Sequence, residues 1–318
     1  MAGIALVGYI VCVVAVVVVV WLIVRRRPRR TEALGPPVQS LLDAARRRAV
    51  IAVLFSGVVI VALFVVAYFL RDLAGLPLVL APALGGAAGL LLYSATPPRV
   101  VAVESDAARE ASLTPRTPLS FVPPLGAGLV AVAMIAQIVF LIFTGTTSSP
   151  DESGRYRMIA FQTADFATAN SPYAGWFYAV PLLLTTVILV AATLLALWRV
   201  SSTPALPQRE LADVDAGWRR ATNRIIVAIS GAALLLQFGG VAIQSGLSIR
   251  NAYFDGVPTG WDTIGQIFEG GGLAMMIGSI ASLTLAALWA LNLPDLALKR
   301  GTPTATRSDE TTHEGIAQ

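Results

Sequence analysis

The stretch Gln266-Ile267-Phe268-Glu269-Gly270-Gly271-Gly272-Leu273-Ala274-Met275-Met276 runs a carboxylate and three glycines straight into an apolar segment that closes at Trp289. Where a membrane boundary crosses it decides whether Glu269 is a charge inside a bilayer or a residue at its edge. A hydrocarbon core of ~30 Å at 1.5 Å per residue takes about 20 residues of helix. Counting back that far from Trp289 reaches Glu269. The carboxylate is therefore expected at the outer boundary, against the exposed N–H groups of a helix's first turn. A proton or cation site in an outer vestibule is the sharper alternative.

The rest of the chain repeats this kind of segment. Of 318 residues, 56% are hydrophobic and 13% charged, and the mean hydropathy is +0.72. A soluble domain carries roughly 25% charged residues. Apolar runs lie near 2–24, 49–70, 76–94, 125–144, 176–198, 225–244 and 270–293. This predicts an all-α membrane protein with seven transmembrane helices over residues 1–294 and a disordered cytoplasmic tail over 295–318. Residues 2–24 precede Arg25-Arg26-Arg27-Pro28-Arg29-Arg30, the reverse charge order of a cleaved signal, so the first span is expected to be retained. With the N-terminus outside, the outer connectors hold four basic residues (Arg71, Arg155, Arg157, Arg250) and seven acidic ones, and the inner segments hold the other 19 of 23 basic residues. That asymmetry predicts N-out, C-in in a bacterial plasma membrane. Trp21, Trp198, Trp218 and Trp289 fall at expected inner boundaries, and Trp176 and Trp261 at or near outer ones, where indole rings anchor in the headgroup layer. Echoes such as Thr193-Leu-Leu-Ala-Leu-Trp198 and Thr284-Leu-Ala-Ala-Leu-Trp289 suggest one helix followed by three related hairpins.

Within the spans the polar candidates are few. Gln137 and Gln237 each lie 12 residues into an outward-running helix, so they share a depth. Hydrogen bonding between helices is the expected role, with a polar substrate path as the alternative. Gly270, Ala274, Gly278, Ser282, Ala286 and Ala290 recur every four residues, which predicts close helix packing with a right-handed crossing. Ala81, Gly85 and Gly89 do the same in the third span, and Gly85-Gly-Ala-Ala-Gly89 lacks the Lys-Ser/Thr of a phosphate loop. Such faces also suit a homo-oligomer or a protein partner.

The single cysteine, Cys12, and the single histidine, His313, leave no disulfide and no histidine ligand in any span. No catalytic residue, cofactor or metal site is expected, and no nucleic acid, since the arginines follow the boundaries of the spans. The Ser56-Gly57 and Ser230-Gly231 pairs lack a base to activate a hydroxyl. The loops 145–175 and 245–269 hold Tyr156, Phe161, Phe166, Tyr173, Trp261, Ile264 and Phe268. The last three, at helical spacing, predict a short helix resting on the membrane surface.

The segments Arg109-Glu-Ala-Ser-Leu-Thr-Pro-Arg116, Phe121-Val-Pro123 and Asp215-Ala216 through Arg219-Arg-Ala-Thr-Asn-Arg224 resemble a group of multi-pass membrane proteins from actinobacteria. The group is more basic after its Thr-Pro-Arg, where this chain has Thr117-Pro-Leu-Ser120. The resemblance implies the multi-span layout and no activity. The expected function is that of a non-enzymatic plasma-membrane protein acting through partners or as a sensor. A small-molecule permease, or its membrane subunit, is the alternative.

Overall fold

The computed structural model describes residues 36–96, 120–204 and 212–298. It is mostly helical: α1 Pro36–Phe69, α2 Leu76–Ala95, α3 Pro124–Thr146, α4 Trp176–Ser202, α5 Ala212–Ala252, α6 Gly260–Leu291 and the short α7 Leu293–Leu298. The first six are long and apolar enough to cross a membrane, as in an all-α membrane protein, and each covers one expected run. The run at 2–24, with Cys12, and the tail beyond Leu298, with His313, lie outside the described residues.

Helices outrun their apolar cores. The run expected at 225–244 sits inside the 41 residues of α5. At 1.5 Å per residue α5 is about 60 Å long, roughly twice a hydrocarbon core. Polar residues that favour helix, such as Arg219-Arg220 and Arg250, extend it at both ends. The expected tail boundary at 295 also moves. Residues 293–298 form α7, whose Leu293, Pro294 and Ala297 are buried, and a Cβ on Gly217 of α5 would strike the Ala297 backbone.

α5 is the central helix: 83% of its most apolar stretch is buried, against 17% for α1 and α3 and 22% for α6. Its largest interface is with α6. Gly246 meets Gly265 and Gly239 meets Gly272. Ser279 Oγ then donates to Ala232 O at 2.8 Å, and Ser282 Oγ to Ala228 O at 2.9 Å. The first three of these contacts recur every seven residues on both antiparallel helices, and Ser282–Ala228 follows three and four residues further on. The four-residue stripe packs only in its second half, where Ser282 bonds α5 and Ala286 and Ala290 are buried, while a seven-residue seam of the kind seen in left-handed pairs takes over before it. Gly270 has nothing within 4 Å of where its Cβ would lie, and Gly278 meets only Leu235 Cδ1 at 3.3 Å. The seam passes through Gly272 instead, where a Cβ would come 2.7 Å from Gly239 O. The α2 stripe packs as expected. Ala81 is fully buried, and Gly85 and Gly89 close against Ser56 and Ala52 of α1.

Residues 147–175 depart from an all-α reading. They form a three-stranded antiparallel sheet, β1 Ser149–Pro150, β2 Tyr156–Gln162 and β3 Ala167–Asn170, in that order. Ile159 pairs with Asn170, and Phe161 with Thr168. The β1–β2 turn is built by Asp151, whose Oδ1 accepts the N–H groups of Ser153 and Arg155, both at 2.9 Å. Gly154 supplies the left-handed residue at φ 77°.

Candidate functional site at the sheet-capped end

The sheet is fastened to the helix ends by a small core. Ile159 and Tyr173 are buried with Ile249 and Ala252 of α5, and Phe161, Trp261, Ile264 and Phe268 pack against them. Phe161 meets the Trp261 ring edge-on at 5.2 Å, and Phe268 meets Phe140 of α3 at 4.9 Å. Edge-to-face pairs of this kind add about 0.5–1.5 kcal/mol beyond their buried area. These aromatics are thus joined to one another. Trp261, Ile264 and Phe268 are helical, as their spacing predicts. They belong to the first turns of α6, not to a separate surface helix, because α6 begins at Gly260.

Polar contacts complete the attachment. Ser248 Oγ donates to Pro172 O at 2.6 Å, and Ala174 N–H donates to Ser245 Oγ at 3.2 Å. Thr168 Oγ1 donates to Ala252 O, one of the carbonyls left open at the end of α5. Tyr173 shares a 2.7 Å hydrogen bond with Thr147 Oγ1, and burial pushes its phenol up to about 12. Tyr178 OH of α4 donates to Ala74 O at 2.6 Å, and Arg155 of the β1–β2 turn donates to Asp72 O at 3.3 Å, so α4 and the sheet are both tied to the α1–α2 turn. The Arg157 guanidinium, with the N–H of Arg155, holds the Asp151 carboxyl well below the usual carboxylate range. Its folded value is depressed, so this pairing persists as pH falls through the range where ordinary carboxylates protonate. The outer rim leaves Tyr156 and Phe166 48% and 57% exposed.

Glu269 sits at this end, but not as a helix-start carboxylate. It lies more than two turns into α6, where the backbone N–H groups are already used. Its partner is Arg250 of α5, whose Nη1 donates to Glu269 Oε2 at 2.6 Å, while Arg250 Nε stands 3.8 Å from Asp262 Oδ1. Both side chains of the pair are over a third exposed, so water screens the pair and it contributes little to stability.

Deeper in the bundle, Gln137 of α3 and Gln237 of α5 are both 2% exposed and both reach α4. Gln137 Nε2 donates to Thr186 Oγ1 at 3.2 Å, and Gln237 Nε2 donates to Thr185 Oγ1 at 3.3 Å. The two threonines give their own protons to Leu182 O, at 3.0 and 2.8 Å. The hydroxyls can therefore only accept from the amides, which fixes the amide orientation. It also leaves Oε1 of both glutamines without a donor. α4 is thus pinned from two sides at one level.

At the opposite end, Arg219 of α5 is fully buried. It pairs with Asp215 at 2.8 Å and donates to Val200 O, Thr203 O and Pro204 O at the end of α4. Arg48 of α1 caps α2 in the same way, through Tyr93 O at 2.8 Å. A cation over the last carbonyls of a helix meets the negative end of its dipole. Trp218, expected in the headgroup layer, is only 4% exposed, and its indole N–H has no acceptor. In the sequence Arg48, Arg219, Arg250 and Asp151 count only toward the charge balance of the connectors, and nothing in that balance marks the sheet. Alternation along Arg157, Ile159 and Phe161, behind Asp151–Gly154, was the available signal.

Among the described residues no group of three or more His, Cys, Asp and Glu side chains could hold a metal ion. No family model, no curated protein and no solved structure matches the chain.

Proposed function

We propose that this is a non-enzymatic, seven-span protein of a bacterial plasma membrane, N-out and C-in, which presents its sheet outside to a partner or ligand and passes the contact to the helices. The observation that carries this reading is the attachment of the sheet to α5 and α6. Ser245, Ser248 and Ala252 on α5, and Trp261, Ile264 and Phe268 on α6, hold strands that would be marginal alone. A load on the sheet therefore reaches the seven-residue seam directly. The charge asymmetry of the connectors supports the orientation.

The test is a photo-crosslinking amino acid at Tyr156 or Phe166 in living cells, with Leu129, 63% exposed on α3, as the lipid-facing control. The expected result is a discrete protein adduct from the rim positions and none from position 129. Equal adducts at all three, or none at the rim, would remove the support for a docking rim.

A permease is the second reading, favoured by the donorless amide oxygens of Gln137 and Gln237 at one depth. Gradient-driven uptake in proteoliposomes, lost in the Gln137→Leu, Gln237→Leu double variant, would put that reading first.

A further inference from the structure

Beside the Arg250–Glu269 pair, α5 and α6 enclose an open groove of about 360 Å³, lined by Ile243, Arg250, Gln266, Glu269, Gly270 and Leu273. Its lining is sorted by depth. Arg250 stands seven residues above Ile243 on α5, about 10 Å along the axis, and Glu269 stands four residues before Leu273 on α6, about 6 Å. One end is therefore charged and the other apolar. The floor at Gly270 is bare, with no atom within 4 Å of where a side chain would begin. The apolar end gives onto the outer face of α6, where Ile267, Leu273 and Ile277 are 63%, 57% and 60% exposed. In a membrane-spanning chain that face meets acyl chains.

We propose that this groove binds one phospholipid with a phosphoethanolamine headgroup, its acyl chain lying over Gly270 and Leu273. The charges select the head. Two carboxylates face one guanidinium, Glu269 in the groove and Asp262 beside it, where Asp262 also accepts from Gln266 Nε2 at 2.8 Å, so this end carries a net charge of −1 and favours a cation. Arg250 gives one N–H to Glu269, and its other N–H groups make no hydrogen bond among the described residues. Nε is shared with Asp262 at 3.8 Å, which leaves the Nη2 N–H groups for a phosphate oxygen. A primary ammonium can donate to the two carboxylates, whereas a quaternary ammonium cannot, and an anionic glycerol head would meet their repulsion. The headgroup thus matches the site at both of its charges, and the chain matches the bare floor.

The experiment is native mass spectrometry of the full chain, purified and exchanged into detergent with equimolar phosphatidylethanolamine, phosphatidylcholine and phosphatidylglycerol. One phosphatidylethanolamine per chain should be retained, preferred over each competitor by about tenfold. The Glu269→Gln, Asp262→Asn double variant should abolish the preference. Gly270→Leu fills the groove without touching the ion pair and should abolish retention, while melting within a few degrees of wild type in lipid-free detergent. Should Gly270→Leu fail to fold, Leu273→Trp, on an exposed position, blocks the same path and should give the same loss. Equal retention of the three lipids, or retention unchanged in the groove-filling variant that folds, would overturn the proposal.

Discussion

Gly272→Leu should be the most damaging single substitution in the α5–α6 seam, with a loss of about 3 kcal/mol or more in thermal or denaturant unfolding in detergent. The reason is geometric. Even a methyl group at Gly272 would come 2.7 Å from Gly239 O and 2.8 Å from Ile243 N, and backbone cannot swing aside as a side chain can. The helices would have to separate along the register that carries the Ser279–Ala232 and Ser282–Ala228 hydrogen bonds. Gly278→Leu is the control. Its Cβ meets only the end of the Leu235 side chain, at 3.3 Å, so the cost should stay below about 1 kcal/mol. Equal losses at the two positions would return the packing face to the four-residue stripe.

Arg219→Ala should cost about 3–5 kcal/mol, because it leaves the Asp215 carboxylate uncompensated in a buried setting. It also uncovers three carbonyls at the end of α4, at Val200, Thr203 and Pro204. Replacing both partners, Arg219→Met with Asp215→Leu, should recover much of the loss, since an apolar pair of similar volume often matches a buried ion pair. What would remain is the uncapped helix end. The check is the melting temperature of the three proteins in one detergent. A double variant no better than Arg219→Ala would mean that the cap, not the pair, carries the stability.

The membrane-length helices were legible because each is marked by an unbroken apolar run, and composition alone separates such a chain from a soluble one. Their ends were not. A hydropathy count stops where polar residues begin, yet Asp213 to Arg220 and Trp261 to Glu269 continue α5 and α6 as helix. That same stop hid the partner of Glu269. A 20-residue count back from Trp289 ends at Glu269, but the helix starts nine residues earlier, so the carboxylate answers to Arg250 and not to open N–H groups. The seam was hidden by redundancy. Gly270, Gly271 and Gly272 stand side by side, and α6 alone cannot say which of them faces a neighbour. The seven-residue spacing of Ala232, Gly239 and Gly246 on α5 decides it. The depth shared by Gln137 and Gln237 could be read from position along the run, whereas their common partner α4 could not. The sheet was missed because its strands are only two, seven and four residues long and lie among polar turns.

The central claim, that the sheet stands outside a bundle whose Arg219-capped end faces the cytoplasm, is tested most directly by two single cysteines. Cys12 is the only native cysteine, so Cys12→Ser gives a thiol-free background. Ser153 lies in the β1–β2 turn and Ser201 in the last turn of α4, at opposite ends of the bundle. In intact cells a membrane-impermeant maleimide should label Ser153→Cys and spare Ser201→Cys until the membrane is permeabilised. Labelling at position 201 with protection at 153 would contradict the account.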